Sequence, residues 1–266
     1  MITVFYDHVL NASKQTGKSI KSIIKTIREA GIEGLEMDYL ELEKNSFLFS
    51  YRLRKWGTPI NSCYKTFDWG NNPDTDDYKP VINKLKKLKI YNLLVIPGFV
   101  KDADDREQLR NNMLSVLKRC ITYAEENGIK VYMEDFDDNV APFGTIDELK
   151  WFMDNEPRLS IAFDTGNFLY SEEDASLAYP IFENRIGYVH CKDRSFTEIK
   201  GEEPKATVKE RNMYSSSVGS GVIPMLEIVT KLKESGYKGT YAIEHFGSLN
   251  HLEVMLASAN WLIKIL

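Results

Sequence analysis

Short apolar runs alternate with longer amphipathic stretches along the whole chain. The runs that read as strands are 2–6 (ITVFY), 32–37 (IEGLEM), 59–64 (PINSCY), 92–96 (NLLVI), 129–134 (IKVYME), 159–164 (LSIAFD), 186–190 (IGYVH) and 240–244 (TYAIE), eight in all. Most are nearly continuous apolar runs, the pattern of parallel strands covered on both faces. The segments between them carry helical spacing. From Asp102 to Asn127, the residues Leu109, Met113, Val116, Leu117, Cys120 and Ala124 recur on one face, and Gly128 follows as a stop. Thr145 and Glu148 form a T-x-x-E capping signal before a helix over 146–154. Pro224 suits the first turn of a helix running to Gly236, and Ser248 is placed to cap the last helix. Eight strand–helix units with right-handed crossovers close into a (β/α)8 TIM barrel, predicted as a single domain over 1–266. The alternative, an open doubly wound sheet, lacks the G-x-G-x-x-G that should follow its first strand.

One segment breaks this alternation. Residues 193–220, after the seventh run, are polar, charged and without apolar periodicity, and they predict a long loop. A loop after a barrel strand lies on the C-terminal face, where barrel active sites are built. Composition then narrows the class. Of 266 residues 43% are hydrophobic, enough apolar side chain for a large core, and the length fits one barrel of roughly 250 residues. The net charge of -5 opposes sequence-independent nucleic-acid binding, which needs a basic surface. Cys63, Cys120 and Cys191 are scattered and odd in number, which suits a reducing compartment. No basic leader and no long apolar run is seen, so the expectation is a soluble cytoplasmic protein with no membrane partner, compatible with a homo-oligomer.

Candidate chemistry lies at the strand ends. Four successive runs finish on Glu134, Asp164, His190 and Glu244. Taken singly, each can be a turn or rim residue. In a closed barrel, however, successive strand ends share one ring. Side chains alternate with period two, so if these four point inward, then so do Tyr132, Ala162, Tyr188 and Ala242 one pleat below. Met133, Phe163, Val189 and Ile243 then face the helices, and Cys191 points away from the ring. Three carboxylates and an imidazole in a low-dielectric mouth repel one another unless a cation compensates. Oxygen-rich ligation with one nitrogen suits Mn²⁺, Mg²⁺, Co²⁺ or Zn²⁺.

Glu134, Asp164 in F-D-T-G-N, His190 in V-H-C-K-D and Glu244 in I-E-H resemble the metal-binding set of the sugar phosphate isomerase/epimerase-like TIM barrels. These belong to the xylose isomerase-like superfamily, with ketose 3-epimerases, inosose dehydratases, hydroxypyruvate isomerases and endonuclease IV. G-S-G-V-I-P (219–224), the run from Leu232 to His245 and G-I-E-G-L-E-M (31–37) extend the resemblance over essentially the whole chain. It implies one divalent ion, Mn²⁺ foremost, on Glu134, Asp164, His190 and Glu244. It also implies that the two glutamates act as acid and base on a small sugar, sugar phosphate, cyclitol or hydroxy-keto acid, through a cis-enediolate. The alternative on the same site is dehydration of an inosose- or dehydroshikimate-like substrate.

The chain departs from the epimerase pattern at two places. Asn167 stands where many epimerases carry a histidine, and Arg194 only approximates the spacing of their substrate-binding arginine. Lys192, sharing phase with His190, is the first candidate for a substrate contact, followed by Arg194, Asn167 and Glu36. Asp68 and His8 lie near other strand ends. An endonuclease reading needs a histidine-rich cluster, whereas this chain has four histidines and His251 falls in the last helix. A barrel that binds sugars without turnover would have no need of paired acid/base glutamates.

Overall fold

The computed structural model describes residues 1–44, 47–101 and 105–266. Among the described residues ten strands follow in chain order: β1 (Ile2–Phe5), β2 (Gly34–Asp38), β3 (Ile60–Thr66), β4 (Asn92–Ile96), β5 (Lys130–Met133), β6 (Ser160–Asp164), β7 (Ile186–Ser195), β8 (Lys205–Ala206), β9 (Asn212–Ser216) and β10 (Tyr241–Glu244). β1 to β7 pair in sequence, all parallel, and β10 pairs in parallel with both β7 and β1. The sheet therefore closes into an eight-stranded barrel with helices between the strands, the expected TIM barrel. Each of the eight predicted runs overlaps a barrel strand; 92–96 coincides with β4, and the other ends differ by up to five residues, the largest at β7.

The period-two argument is met at every strand it was applied to. Phe5, Leu94, Tyr132, Ala162, Tyr188 and Ala242 pack together as a small cluster inside the barrel. Met133, Phe163, Val189, Ile243 and Cys191 belong instead to the large core between strands and helices. The register explains how the strand ends meet: Asp164 lies directly opposite His190, and Glu244 opposite Lys192.

Several local expectations shift. β7 does not stop at His190 but runs to Ser195, where it turns from a parallel barrel strand into one side of an antiparallel ribbon. Asp193 to Ser195 pair with β9, and β9 pairs with β8, so the segment 193–220 holds strand structure as well as loop. Its alternation is simply too short to register as a period. Asp193, facing away from the barrel interior, pins the return of the ribbon: its carboxylate accepts the main-chain N–H of Gly219, Gly221 and Ile223. A Cβ at Gly221 would collide with the Arg194 carbonyl and the Asp193 carboxylate, so only glycine fits there.

The longest helix spans Arg106–Glu126 and is capped by Asp105, whose side chain accepts the N–H of Gln108. Asp102, the expected start, lies outside the described residues. Thr145 caps Ile146–Asn155 as expected, but Glu148 turns its carboxylate to Arg106 and the Gly144 N–H, so the reciprocal half of the box is not made. Pro224 precedes the helix Met225–Glu234 rather than lying within its first turn. The last helix begins at His251 after Asn250; Ser248 does not cap it but accepts the Asn250 N–H through Oγ. Among the described residues no helix is long and apolar enough to cross a membrane.

Candidate metal centre and substrate cavity

Glu134 follows β5 directly, Asp164 ends β6, His190 lies within β7 and Glu244 ends β10. Barrel closure brings one ligand-type atom of each within 4.8 Å of the others, and all four residues are buried. His190 Nδ1 lies 2.7 Å from Glu134 Oε2, 3.3 Å from Glu244 Oε2 and 3.9 Å from Asp164 Oδ2. Its Nε2 faces the opposite way, 3.2 and 3.3 Å from the two carboxylate oxygens of Glu36. Glu36 is fully buried behind the imidazole and does not line the cavity. Its carboxylate faces the ring nitrogen turned away from the cluster, the kind of contact by which carboxylates fix the tautomer of a histidine.

Asp164 combines two functions that sequence reasoning held apart. Its Oδ1 accepts the N–H groups of Gly166 and Asn167, a turn-forming cap, while its buried Oδ2 has no hydrogen-bond partner. An orphaned carboxylate oxygen aimed at the site costs free energy unless something positive meets it. Thr165 then ties β6 to β7 by donating its hydroxyl to the Lys192 carbonyl and accepting the Lys192 N–H.

Lys192 is buried one rung above His190 on the same face of β7. Its Nζ lies 2.5 Å from Glu244 Oε1, 3.5 Å from Asp164 Oδ2 and 2.6 Å from Asn167 Oδ1. The titration behaviour follows from this crowding. Desolvation raises the Asp164 carboxyl to about 7 against the pull of Lys192. Desolvation also raises Glu134, opposed by His190. For His190, desolvation is outweighed by Glu36 and Glu134, which hold the imidazolium well above the ordinary value. Four buried carboxylates (Glu36, Glu134, Asp164, Glu244) thus surround one imidazole and one ammonium. The excess negative charge, and an Asp164 Oδ2 that has Lys192 nearby but no hydrogen bond, fit a divalent cation, and the donor set is oxygen-rich with a single nitrogen.

A cavity of about 460 Å³ opens beside this cluster, lined by both Glu134 and Glu244 together with Lys192, Asn167 and Arg194. Its floor is apolar, with Phe5, Leu94 and Ile96, and the ribbon contributes Lys205, Met213 and Ser215 from above. Sequence reasoning missed Asp137, which also lines the cavity. Its carboxylate gathers Lys205 at 2.8 Å, Arg194 at 3.1 Å and Lys192 at 3.8 Å. Desolvation would raise it, but these three cations hold it well below the usual carboxylate range. Nothing in the local sequence F-D-D-N marks Asp137, because its partners come from β7 and the ribbon.

Two other candidates fall elsewhere. Asp68 is hydrogen-bonded by the Asn71 and Asn72 side chains and lines a separate depression. His8 is buried against His245 and His251 rather than at the carboxylate cluster. Burial holds His8 and His245 well below the ordinary histidine value, and His251 at about 4.

These shifts set a pH dependence. Asp164 and His190 both bind their protons more tightly in the folded chain, so the stability they contribute is present at low pH and is lost as pH rises. The loss runs from the ordinary 3.8 through about 7 for Asp164, and from 6.5 upward for His190. The three depressed histidines work in the opposite direction, but only below about 6.5. Chelated protein is therefore expected to melt at lower temperature as pH is raised from about 6.5 to about 8, and added Mn²⁺ to remove that decline. A chelated chain with an unchanged melting temperature over this range would contradict the assignment of these charges.

Fold and site together define a (β/α)8 barrel with an acid-rich, histidine-containing centre at the C-terminal ends of its strands. The chain belongs to the xylose isomerase-like TIM barrel family, which it matches over residues 24–265. It is 28% identical over 159 residues to inosose dehydratase 1 of Bacillus cereus (strain ZK / E33L), covering 58% of this chain and 53% of the dehydratase. The chain thus spans about half the length of the curated relatives it matches. Among solved structures, the IolI protein with a bound zinc atom superposes with a TM-score of 0.76 at 14% identity, over 99% of this chain and 97% of that one. D-allulose 3-epimerase from Methylomonas sp., in complex with D-allulose, gives 0.74 at 14% identity, over 100% and 96%. Likeness at that identity speaks for the fold.

Proposed function

We propose that the chain is a divalent-metal-dependent isomerase or epimerase of a small polyhydroxy ketone, with Glu134 and Glu244 as the proton-transfer pair. The observation that carries this reading is their joint position: both carboxylates line one cavity while also bordering His190 Nδ1. Glu134, Asp164, His190 and Glu244 would hold the ion, Mn²⁺ being the first choice and Mg²⁺, Co²⁺ or Zn²⁺ the others. When bound, it supplies Lewis-acid polarisation of a carbonyl, which acidifies the neighbouring C–H.

The remaining work belongs to the protein. Glu134 and Glu244 stand at the two ends of an arc of four strands, β5, β6, β7 and β10. A substrate between them meets a carboxylate on each side. One takes the proton from carbon; the other returns a proton to the opposite face or to the adjacent carbon. Lys192 and Asn167 present an ammonium and an amide to substrate oxygens, and Arg194 extends the cationic wall toward the cavity mouth. The apolar floor excludes water that would otherwise compete for the proton.

A dehydratase reading rests on the likeness to inosose dehydratase 1 and uses the same first proton removal, followed by loss of a β-hydroxyl. One experiment separates these readings. Mn²⁺-loaded protein is incubated in D₂O with a panel of ketoses, ketose phosphates, inososes and hydroxy-keto acids, followed by NMR. Deuterium at the carbon next to the carbonyl, with a new epimer or isomer, is the expected result. Deuterium with a dehydrated product selects the dehydratase. No exchange into any of them removes the proton-transfer reading.

A further inference from the structure

Three of the four histidines in the chain come together away from the carboxylate cluster. His8 lies in the helix that follows β1, His245 comes immediately after β10, and His251 opens the last helix. His8 is far in sequence from the other two and meets them because β10 pairs with β1 to close the barrel. Their ring centroids are 4.0 Å apart for His8–His245, 5.0 Å for His8–His251 and 4.9 Å for His245–His251. One nitrogen from each ring lies within 4.8 Å of the other two.

The second observation is what these rings lack. His8 Nδ1, both nitrogens of His245, and His251 Nδ1 are buried without a hydrogen-bond partner. His8 Nε2 accepts the His245 main-chain N–H, and the His251 main-chain N–H goes to Gln15, so the backbone is satisfied while the rings are not. Exposure is 0%, 1% and 3%, so bulk water does not serve them. Packing three imidazoles together for their apolar surface would leave these nitrogens as a standing cost.

We infer that His8, His245 and His251 form a second metal site, a three-histidine centre for a borderline transition-metal ion of the Zn²⁺ or Co²⁺ class. It is distinct in chemistry from the carboxylate-rich centre. Neutral imidazole nitrogens are the ligand form such an ion takes. A tetrahedral ion with bonds near 2.0–2.1 Å needs its nitrogens about 3.3 Å apart, so the rings draw inward on loading. His8 must also exchange its bond from the His245 amide for the ion, one neutral hydrogen bond against three metal–nitrogen bonds. Phe246 packs edge-on against His8, at 4.7 Å between centroids, and also lines the substrate cavity. An ion on these histidines would therefore brace the segment directly after Glu244 and fix one wall of the cavity.

The test is a titration of chelator-stripped protein with Zn²⁺, read by calorimetry and by elemental analysis after desalting. Wild type is expected to retain two equivalents, His251→Gln one and Asp164→Asn one. A single equivalent in wild type that is lost in Asp164→Asn but kept in His251→Gln overturns the inference, as do two equivalents kept by His251→Gln. A single equivalent with the opposite pattern supports the histidine centre and instead counts against the carboxylate one. Should His251→Gln not fold, anomalous scattering from Zn²⁺-soaked crystals of wild type decides. A peak among the three rings supports the site, and a peak at the carboxylates alone overturns it.

Discussion

Turnover of substrate to product is expected to fall by about 10²–10⁴-fold in both Glu134→Gln and Glu244→Gln, measured with saturating Mn²⁺. Glutamine preserves size and one oxygen donor but cannot carry a proton. The two variants should differ in which proton they lose. With substrates approached from one face, the glutamate on that face is needed for wash-out of deuterium, and its partner for formation of the epimer. One variant should therefore retain partial exchange without turnover, and the other should lose both. Elemental analysis of each variant separates loss of the proton carrier from loss of the ion. Wild-type exchange rates in both variants, with metal content unchanged, would remove the glutamates from the chemistry.

Lys192→Met is expected to destabilise the metal-free chain by about 3–5 kcal/mol, the cost of removing one partner from a buried ionic cluster. Methionine matches the aliphatic stem but leaves Glu244, Asp164 and Asn167 facing no ammonium. Urea unfolding of chelated protein measures the loss. A divalent ion should restore a substantial part of it, because the ion supplies positive charge to the same oxygens. A change below about 1 kcal/mol in the metal-free chain would mean that the carboxylates hold protons instead of Lys192.

The four strand-end groups were legible because each closes an apolar run, and because the pleat fixes which way each points. Tyr132, Ala162, Tyr188 and Ala242 inside the barrel bear that phase out. What was not legible depends on closure and return. Glu36 reads as a candidate substrate contact, and its place beside His190 Nε2 emerges only once β2 and β7 are paired into the barrel. Asp137 is unremarked until Lys205, carried in by the ribbon, comes to 2.8 Å. His251 was set apart in the last helix by its sequence position, yet barrel closure lays it beside His8. The β8–β9 ribbon was read as loop because two- and five-residue strands are too short to show a period.

β7 carries His190, Lys192 and Arg194 on successive rungs of one face, about 6.6 Å apart along the strand. That spacing makes the strand a ruler leading outward from the carboxylate–histidine cluster, through the ammonium beside it, to the mouth of the cavity. Deletion of one residue before His190 would present Cys191, Asp193 and Ser195 instead, and the imidazole, ammonium and guanidinium would leave this face together. Changes beyond Arg194 leave the inner rungs untouched. The outer end of this strand can thus vary without rebuilding the inner cluster.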